Sequence, residues 1–184
     1  GAPAAPATRA LPPIRHVFII VLENQGYESS FGASSPALYL KSLRQLGASV
    51  PNYHGTSHMS LGNYVTMISG QAPNEATNFD CELFSEFAST GTTADGQAIG
   101  KGCVYPANIQ TIANQLEHAH LRWKAYMEDM GNNPRRESVT CGHPRIGSPD
   151  NTGNATVGDQ YATRHDPFVY FHSIIDTPSC AANV

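Results

Sequence analysis

The run Val17-Phe18-Ile19-Ile20-Val21-Leu22 constrains this chain more than any other stretch. Six consecutive apolar residues, mostly β-branched or aromatic, predict a strand buried on both faces, as in a parallel sheet. The run stops at Glu23 and Asn24, a carboxylate and a carboxamide, followed by the turn-like Gln25-Gly26. In open α/β sheets ligands bind just beyond the carboxyl ends of the strands. Two oxygen-bearing side chains at that point either hold a metal or a phosphate, or simply solvate a loop.

The residues that follow keep to an α/β pattern. Ser35-Pro36 supplies a helix start, Tyr39, Leu43 and Leu46 recur at i, i+4, i+7, and Gly47 sits where a C-terminal cap belongs. A short extended piece at residues 49–53 completes a β-α-β order, which favours a doubly wound, mostly parallel sheet flanked by helices. Residues 54–64 are small and polar, and Tyr64, Met67 and Ile68 then recur at helical spacing as far as Gly70. Ser60 therefore falls at a helix N-terminus, where backbone N–H groups and the helix dipole favour an anion. It stands there either as a helix cap or as an oxygen whose developing charge the helix end stabilises.

From Gln71 to Gly102 the periodicity disappears, an excursion of a length that is usually functional or pinned. Asn108 is expected to cap a helix with the face Ile109, Ile112, Ala113 and Leu116. Leu121, Trp123, Ala125 and Met127 alternate with Arg122, Lys124 and Tyr126, which predicts a strand ending at Glu128-Asp129. Residues 132–158 form a second irregular excursion, after which Arg164-His165-Asp166-Pro167 leads into Phe168-Val169-Tyr170-Phe171.

Bulk properties exclude several classes. At 184 residues, 40% hydrophobic, with a formal charge of -4, the chain suits one soluble domain with a core. No Lys/Arg cluster is present to neutralise a nucleic-acid backbone, and no apolar run approaches the roughly 20 residues of a membrane span. The four cysteines are widely spaced without a C-x-x-C pair, which argues against a thiolate zinc site and for two disulfides. The preferred pairing, Cys81–Cys103 and Cys141–Cys180, brackets one irregular excursion with each bond. Disulfides and the opening Gly1-Ala-Pro-Ala-Ala-Pro-Ala7 fit a mature secreted or periplasmic protein. Residues 1–14 are expected to be a flexible segment, and Asn154-Ala-Thr156 is a glycosylation sequon in a eukaryote.

Three segments occur in a recognisable order: Glu23-Asn24 after the apolar strand, His58-x-Ser60-x-x-Asn63-Tyr64 opening a helix, and Tyr161-Ala-x-Arg-His165-x-Pro167-Phe168. Together, from about Arg15 to the C-terminus, the chain resembles the bacterial phosphoesterase family of phospholipase C-type enzymes and secreted acid phosphatases. That family is itself similar to the alkaline-phosphatase superfamily. The resemblance implies a phosphate-ester substrate, hydrolysed through a phosphoserine at Ser60. It implies that Glu23 and Asn24, with Ser60, lie at a divalent-metal or phosphate centre, the metal being of unspecified identity. Asn63 matches a residue near the substrate phosphate, and His165 a pocket histidine able to bind phosphate or assist the leaving group. His58, two residues before the nucleophile, matches a loop position that either contacts substrate or only shapes the loop.

Two departures stand out. Met59 and Gly62 occupy places where family members often carry proline, which implies a less rigid loop. The family also carries acidic motifs beyond the point matching His165, and no counterpart follows Cys180. Residues 15–184 are therefore expected to be the N-terminal portion of a longer catalytic domain, completed by a C-terminal piece of the same protein. Serine needs a base or a metal to become an effective nucleophile. An imidazole with an unperturbed pKa near ~6.5 suits an acid-side optimum. The rival readings are a serine esterase, though G-x-S-x-G is absent around Ser60, and a non-catalytic secreted binding module. A zinc hydrolase is disfavoured because the eight histidines show no H-E-x-x-H spacing.

Overall fold

The computed structural model describes residues 12–184, and the chain divides into two compact units after Tyr53. The flexible segment expected over residues 1–14 lies outside the described residues except for its last three. The first unit contains α1 (Tyr27–Phe31) and α2 (Leu38–Leu43). The hydroxyl of Ser35 donates to the carbonyls of Ser29 and Ser30, at 2.6 and 3.0 Å, and accepts the Ala37 N–H at 3.1 Å. This links the two helices through one short turn. The helix is shorter than the spacing of Tyr39 to Leu46 predicts, and both of those residues are exposed.

Val17–Leu22 takes no helix or strand among the described residues, and Phe18 is 86% exposed. A strand buried on both faces needs a partner on each side and a layer above and below. The described sheets are two small antiparallel pairs, both in the second unit. The expected doubly wound parallel sheet is not among the described strands, which form only these two antiparallel pairs.

The second unit is built on α3 (Ser60–Ser69). Leu61, Tyr64, Val65 and Ile68 recur at helical spacing and are all buried, so one face of α3 enters the core. Gly70 ends the helix in left-handed backbone, φ 70, with its N–H returning to Thr66 O at 2.9 Å. The excursion that sequence leaves without period holds a 3-10 turn at Thr77–Phe79, strand β1 (Leu83–Phe84) and the hairpin β2 (Ala88–Thr92) with β3 (Ala98–Lys101). The Cys81–Cys103 bond closes it, and a second bond joins Cys141 to Cys180, in the expected pairing. The next helix, α4 (Ile112–His118), is capped by Thr111 rather than Asn108. Thr111 and Asn114 form a reciprocal capping box.

β1 pairs with β4 (Ser148–Pro149). Short 3-10 turns at Thr163–His165 and Pro167–Tyr170 then lead into α5 (His172–Ile175) and α6 (Pro178–Asn183). Residues 121–127, predicted as a strand, instead run beside α6, with Ala125 N–H donating to Asn183 O at 2.8 Å. Their alternation still has a physical use, because Trp123 turns inward and stacks on Phe168 with centroids 4.9 Å apart. Aromatic rings fill the core: Phe87 on Tyr105 at 4.7 Å, Tyr105 on Phe171 at 5.1 Å, and Phe84 against Tyr170 at 5.2 Å.

A polar network holds the segment leading to His165. Asp150 Oδ1 accepts from the Thr152 N–H at 2.8 Å, the Thr152 hydroxyl at 2.7 Å and the Thr163 hydroxyl at 3.2 Å. The Thr163 N–H donates to Thr152 Oγ1 at 2.8 Å. Arg136 pairs with Asp159 and donates to Tyr161 O at 2.9 Å. Beyond the turn, Asp166 is fully buried, and the Tyr161 hydroxyl donates to its Oδ2 at 3.3 Å. Burial raises the Asp166 carboxyl to about 7 against the opposing hydrogen bonds from Tyr161 and Phe168.

His172, at the start of α5, sits between two carboxylates. Its Nδ1 lies 2.8 Å from Asp176 Oδ2 and its Nε2 2.9 Å from Glu86 Oε2. A neutral imidazole has one N–H and one lone pair, so two carboxylate acceptors are satisfied only by the doubly protonated ring. Burial works against that charge, but the hydrogen bonds and charges of Glu86 and Asp176 outweigh it and raise the His172 pKa.

Both groups give stability of the same sign. A folded-state pKa above the unfolded one means that the native state holds more protons, so stability falls as pH rises. For Asp166 the fall runs from the unfolded value near ~4 up to about 7. For His172 it begins near the unfolded value of ~6.5 and continues through the raised folded one. We expect Asp166→Asn to gain on the wild type steadily between pH 4 and 7 in urea titrations, with no further change above. His172→Gln should be destabilised below pH 6 by about 1 kcal/mol or less, since both carboxylates are well exposed, and should match the wild type at pH 9. A pH-independent difference in either variant would refute that assignment.

Candidate functional site

The site is assembled on the first turn of α3. Ser60 is the first helical residue, with Met59 at the N-cap position in extended backbone and offering no capping hydrogen bond. The reading of Ser60 as the helix cap thus loses its position. The acceptor for the Leu61 N–H is instead Asp80 Oδ1, at 2.8 Å, from a residue 19 places further on. That is the bond an Asp at the N-cap would ordinarily supply.

Asn63 binds the preceding loop to the helix. Its Oδ1 accepts from the N–H groups of Thr56 at 2.7 Å and Ser57 at 3.0 Å. Its Nδ2 donates to Ser57 O at 3.0 Å and Met59 O at 2.8 Å. The carboxamide is thereby committed to backbone groups of residues 56–59, and its direct work is to shape the loop carrying His58, which is exposed. Gly62 explains one of the departures noted above. A Cβ at this position would come within 2.6 Å of Ser57 Cβ, so the loop closes on the helix only where no side chain projects. A proline there would push the loop away.

The motif histidine meets the same helix. The turn Thr163–His165 packs on α3, and the His165 ring lies 5.6 Å, centroid to centroid, from the ring of Tyr64. Arg164, just before it, reaches Asp80 with Nε 3.7 Å from Oδ2, and donates from Nη1 to Gly153 O at 3.0 Å. One carboxylate therefore touches both the start of the Ser60 helix and the turn that carries His165.

Of the residues singled out from sequence, Ser60, Asn63, His165 and His58 belong to the second unit, the first three on or against α3. Glu23 and Asn24 belong to the first unit, where both are exposed and Asn24 takes left-handed backbone at φ 57. Among the described residues no three His, Cys, Asp or Glu side chains gather into a set that could hold a metal ion. Sequence reasoning assigned no role to Asp80, Arg164 or Asp166. The one available signal for Asp80 was its place beside Cys81, inside the bracketed excursion.

The arrangement offers a hydroxyl at the positive end of a ten-residue helix, an imidazole against the next turn and a guanidinium nearby. Such a constellation can stabilise an anion and move a proton. The chain is similar to a probable acid phosphatase of Kluyveromyces lactis, 22% identical over 170 residues, 92% of this chain and 32% of that protein. It is also similar to a phosphate-repressible acid phosphatase of Penicillium chrysogenum, 26% identical over 160 residues, 85% of this chain and 29% of that protein. The chain thus spans about a third of the length of these curated relatives. No protein-family model and no solved structure matches it.

Proposed function

We propose that this chain carries the nucleophile of a secreted phosphatase that hydrolyses phosphate esters through a phosphoserine at Ser60. The observation that carries this reading is the contact of His165 with Tyr64 on the Ser60 helix, two motif segments far apart in sequence meeting on one helix. The likeness to two acid phosphatases supports it and favours phosphate monoesters over phospholipase C chemistry. The two disulfides fit an oxidising compartment.

In this reading the Ser60 oxygen forms a bond to phosphorus as the bond to the ester oxygen breaks. The departing alkoxide takes a proton from the imidazolium of His165, and the serine hydroxyl proton leaves to solvent. Water then attacks the phosphoserine, its hydroxyl bonding to phosphorus as the P–O bond to Ser60 breaks and its proton going to the serine oxygen. Inorganic phosphate leaves, and His165 regains from solvent the proton it gave up. The α3 N-terminus attracts the anionic substrate, while Arg164 stays engaged in its pair with Asp80. Asn63 acts by holding the loop and His58 by bordering it.

A divalent cation at Glu23 and Asn24 is a separate part of the proposal. These two side chains alone fall short of the roughly four to eight ligands that divalent ions take. A complete cation site would draw further carboxylates from the rest of a longer protein, as the relatives' length allows. The doubly wound parallel sheet belongs with it, since Val17–Leu22 would find its neighbouring strands in the same remainder.

Ser60→Ala in the full-length protein should lower hydrolysis of p-nitrophenyl phosphate by at least about 1000-fold, with unfolding stability within about 1 kcal/mol of wild type. Near wild-type turnover would exclude Ser60 as nucleophile, and p-nitrophenyl acetate as the better substrate would point to an esterase. Glu23→Ala should reduce activity far more than stability, with loss of bound metal measured by elemental analysis. An active wild type with no metal and no response to chelator would leave Glu23 a hydrogen-bonding role alone.

A further inference from the structure

We propose that Asp80 is a positioning residue for Ser60, its carboxylate fixing the first turn of α3 against the turn that carries His165. This inference rests on the reading of Ser60 as the nucleophile. Four observations support it. Met59, at the N-cap, makes no side-chain capping bond, and the Leu61 N–H instead donates to Asp80 Oδ1 at 2.8 Å. The other carboxylate oxygen lies 3.7 Å from Arg164 Nε, and Arg164 is itself anchored through Nη1 to Gly153 O at 3.0 Å. Both side chains of this pair are mostly buried, 13% exposed for Asp80 and 23% for Arg164. Finally, Asp80 and Cys81 are consecutive non-glycine residues in left-handed backbone, φ 55 and 53, and Cys81 is tied to Cys103.

An ordinary cap would be furnished more simply by Ser, Thr, Asp or Asn at position 59. A carboxylate brought from elsewhere also places negative charge near a helix end meant for an anion. That is unfavourable unless a cation offsets it, and Arg164 does so. What the arrangement gains is geometry: one rigid, two-oxygen link between the nucleophile's turn and the histidine's turn. Asn78 adds to it, accepting from the Ser57 hydroxyl at 2.8 Å and fixing the loop from the same side. Left-handed backbone at non-glycine residues is unfavourable and persists where surrounding structure enforces it, frequently at functional sites.

The test compares variants of the full-length protein in turnover of p-nitrophenyl phosphate and in hydrogen exchange at the Leu61 amide. Asp80→Ala should lower kcat by about 10- to 100-fold with KM within about 3-fold, and should speed Leu61 exchange at least about 10-fold. Asp80→Asn keeps an acceptor oxygen and should retain kcat within about 3-fold. Arg164→Gln keeps the cap but cuts the tie to the His165 turn, and should lower kcat by about 3- to 10-fold. Thr111→Ala removes the cap of α4, a loss of like size whose hydrogen bonds go to Asn114 and not to Asp80 or Leu61, and should leave kcat unchanged.

Wild-type kcat or unchanged Leu61 exchange in Asp80→Ala overturns the proposal, as does an equal loss of kcat in Thr111→Ala. If Asp80→Ala does not fold, unchanged kcat in Arg164→Gln overturns it alone. Ser60→Ala separates the two levels. If that variant is inactive while Asp80→Ala is not, only the positioning role fails, whereas full turnover in Ser60→Ala removes the nucleophile reading and this inference with it.

Discussion

A backbone N–H at the start of a helix has no partner in its own turn, and most of the second unit can be understood from where the one at Leu61 finds an acceptor. Met59 makes no side-chain capping bond, and the acceptor comes from outside the helix, from Asp80. To aim there, the backbone at residues 80 and 81 enters the left-handed region, and the Cys81–Cys103 bond with the β2–β3 hairpin holds that loop in place. Beneath it lie Phe87, Tyr105 and Phe171, a stack whose burial stabilises the base of the loop. A chain of ordinary packing thus ends in one carboxylate oxygen beside Ser60.

The division of roles between the two units follows from their packing. The second unit has a core that runs from Leu61 to Val184, and the turns carrying Ser60 and His165 pack on it. The first unit buries little of its apolar surface: Val17 to Leu22, Leu38 and Leu46 are all exposed. Its two short helices are joined by serine hydrogen bonds rather than by apolar contact. Glu23 and Asn24 lie in this unit, directly after the exposed Val17–Leu22 run.

Local signals survived translation into structure where local physics decides. Ser60 at the start of α3 and Gly70 at its end were legible because period and cap chemistry act within a few residues. The cysteine pairing was legible because each bond closes one aperiodic stretch. Apolar alternation misled at residues 121–127, since inward-facing side chains serve equally well along a helix as in a sheet. At the start of α4, Thr111 won over Asn108 because Asn114 stands three residues later to complete the box. The motif residues were found by resemblance, but Asn63's hold on the loop and Asp80's on the helix depend on contacts with no fixed spacing. Asp166 could not be read at all, since only complete burial makes an ordinary aspartate unusual.

Asp166 and His172 share a property that outlasts any assignment of the active site. Each binds a proton more tightly in the folded chain than free of it, one through burial and the other through paired carboxylates. Hydrogen ion therefore behaves as a ligand of the native state, favouring it by mass action as any bound molecule would. Unfolding at mildly acidic pH must release the Asp166 proton to the medium, and above about pH 6.5 the His172 proton as well. The apparent heat of unfolding then includes the buffer's own ionisation, so a scan in a buffer of high ionisation enthalpy and one in phosphate would differ although the protein is the same.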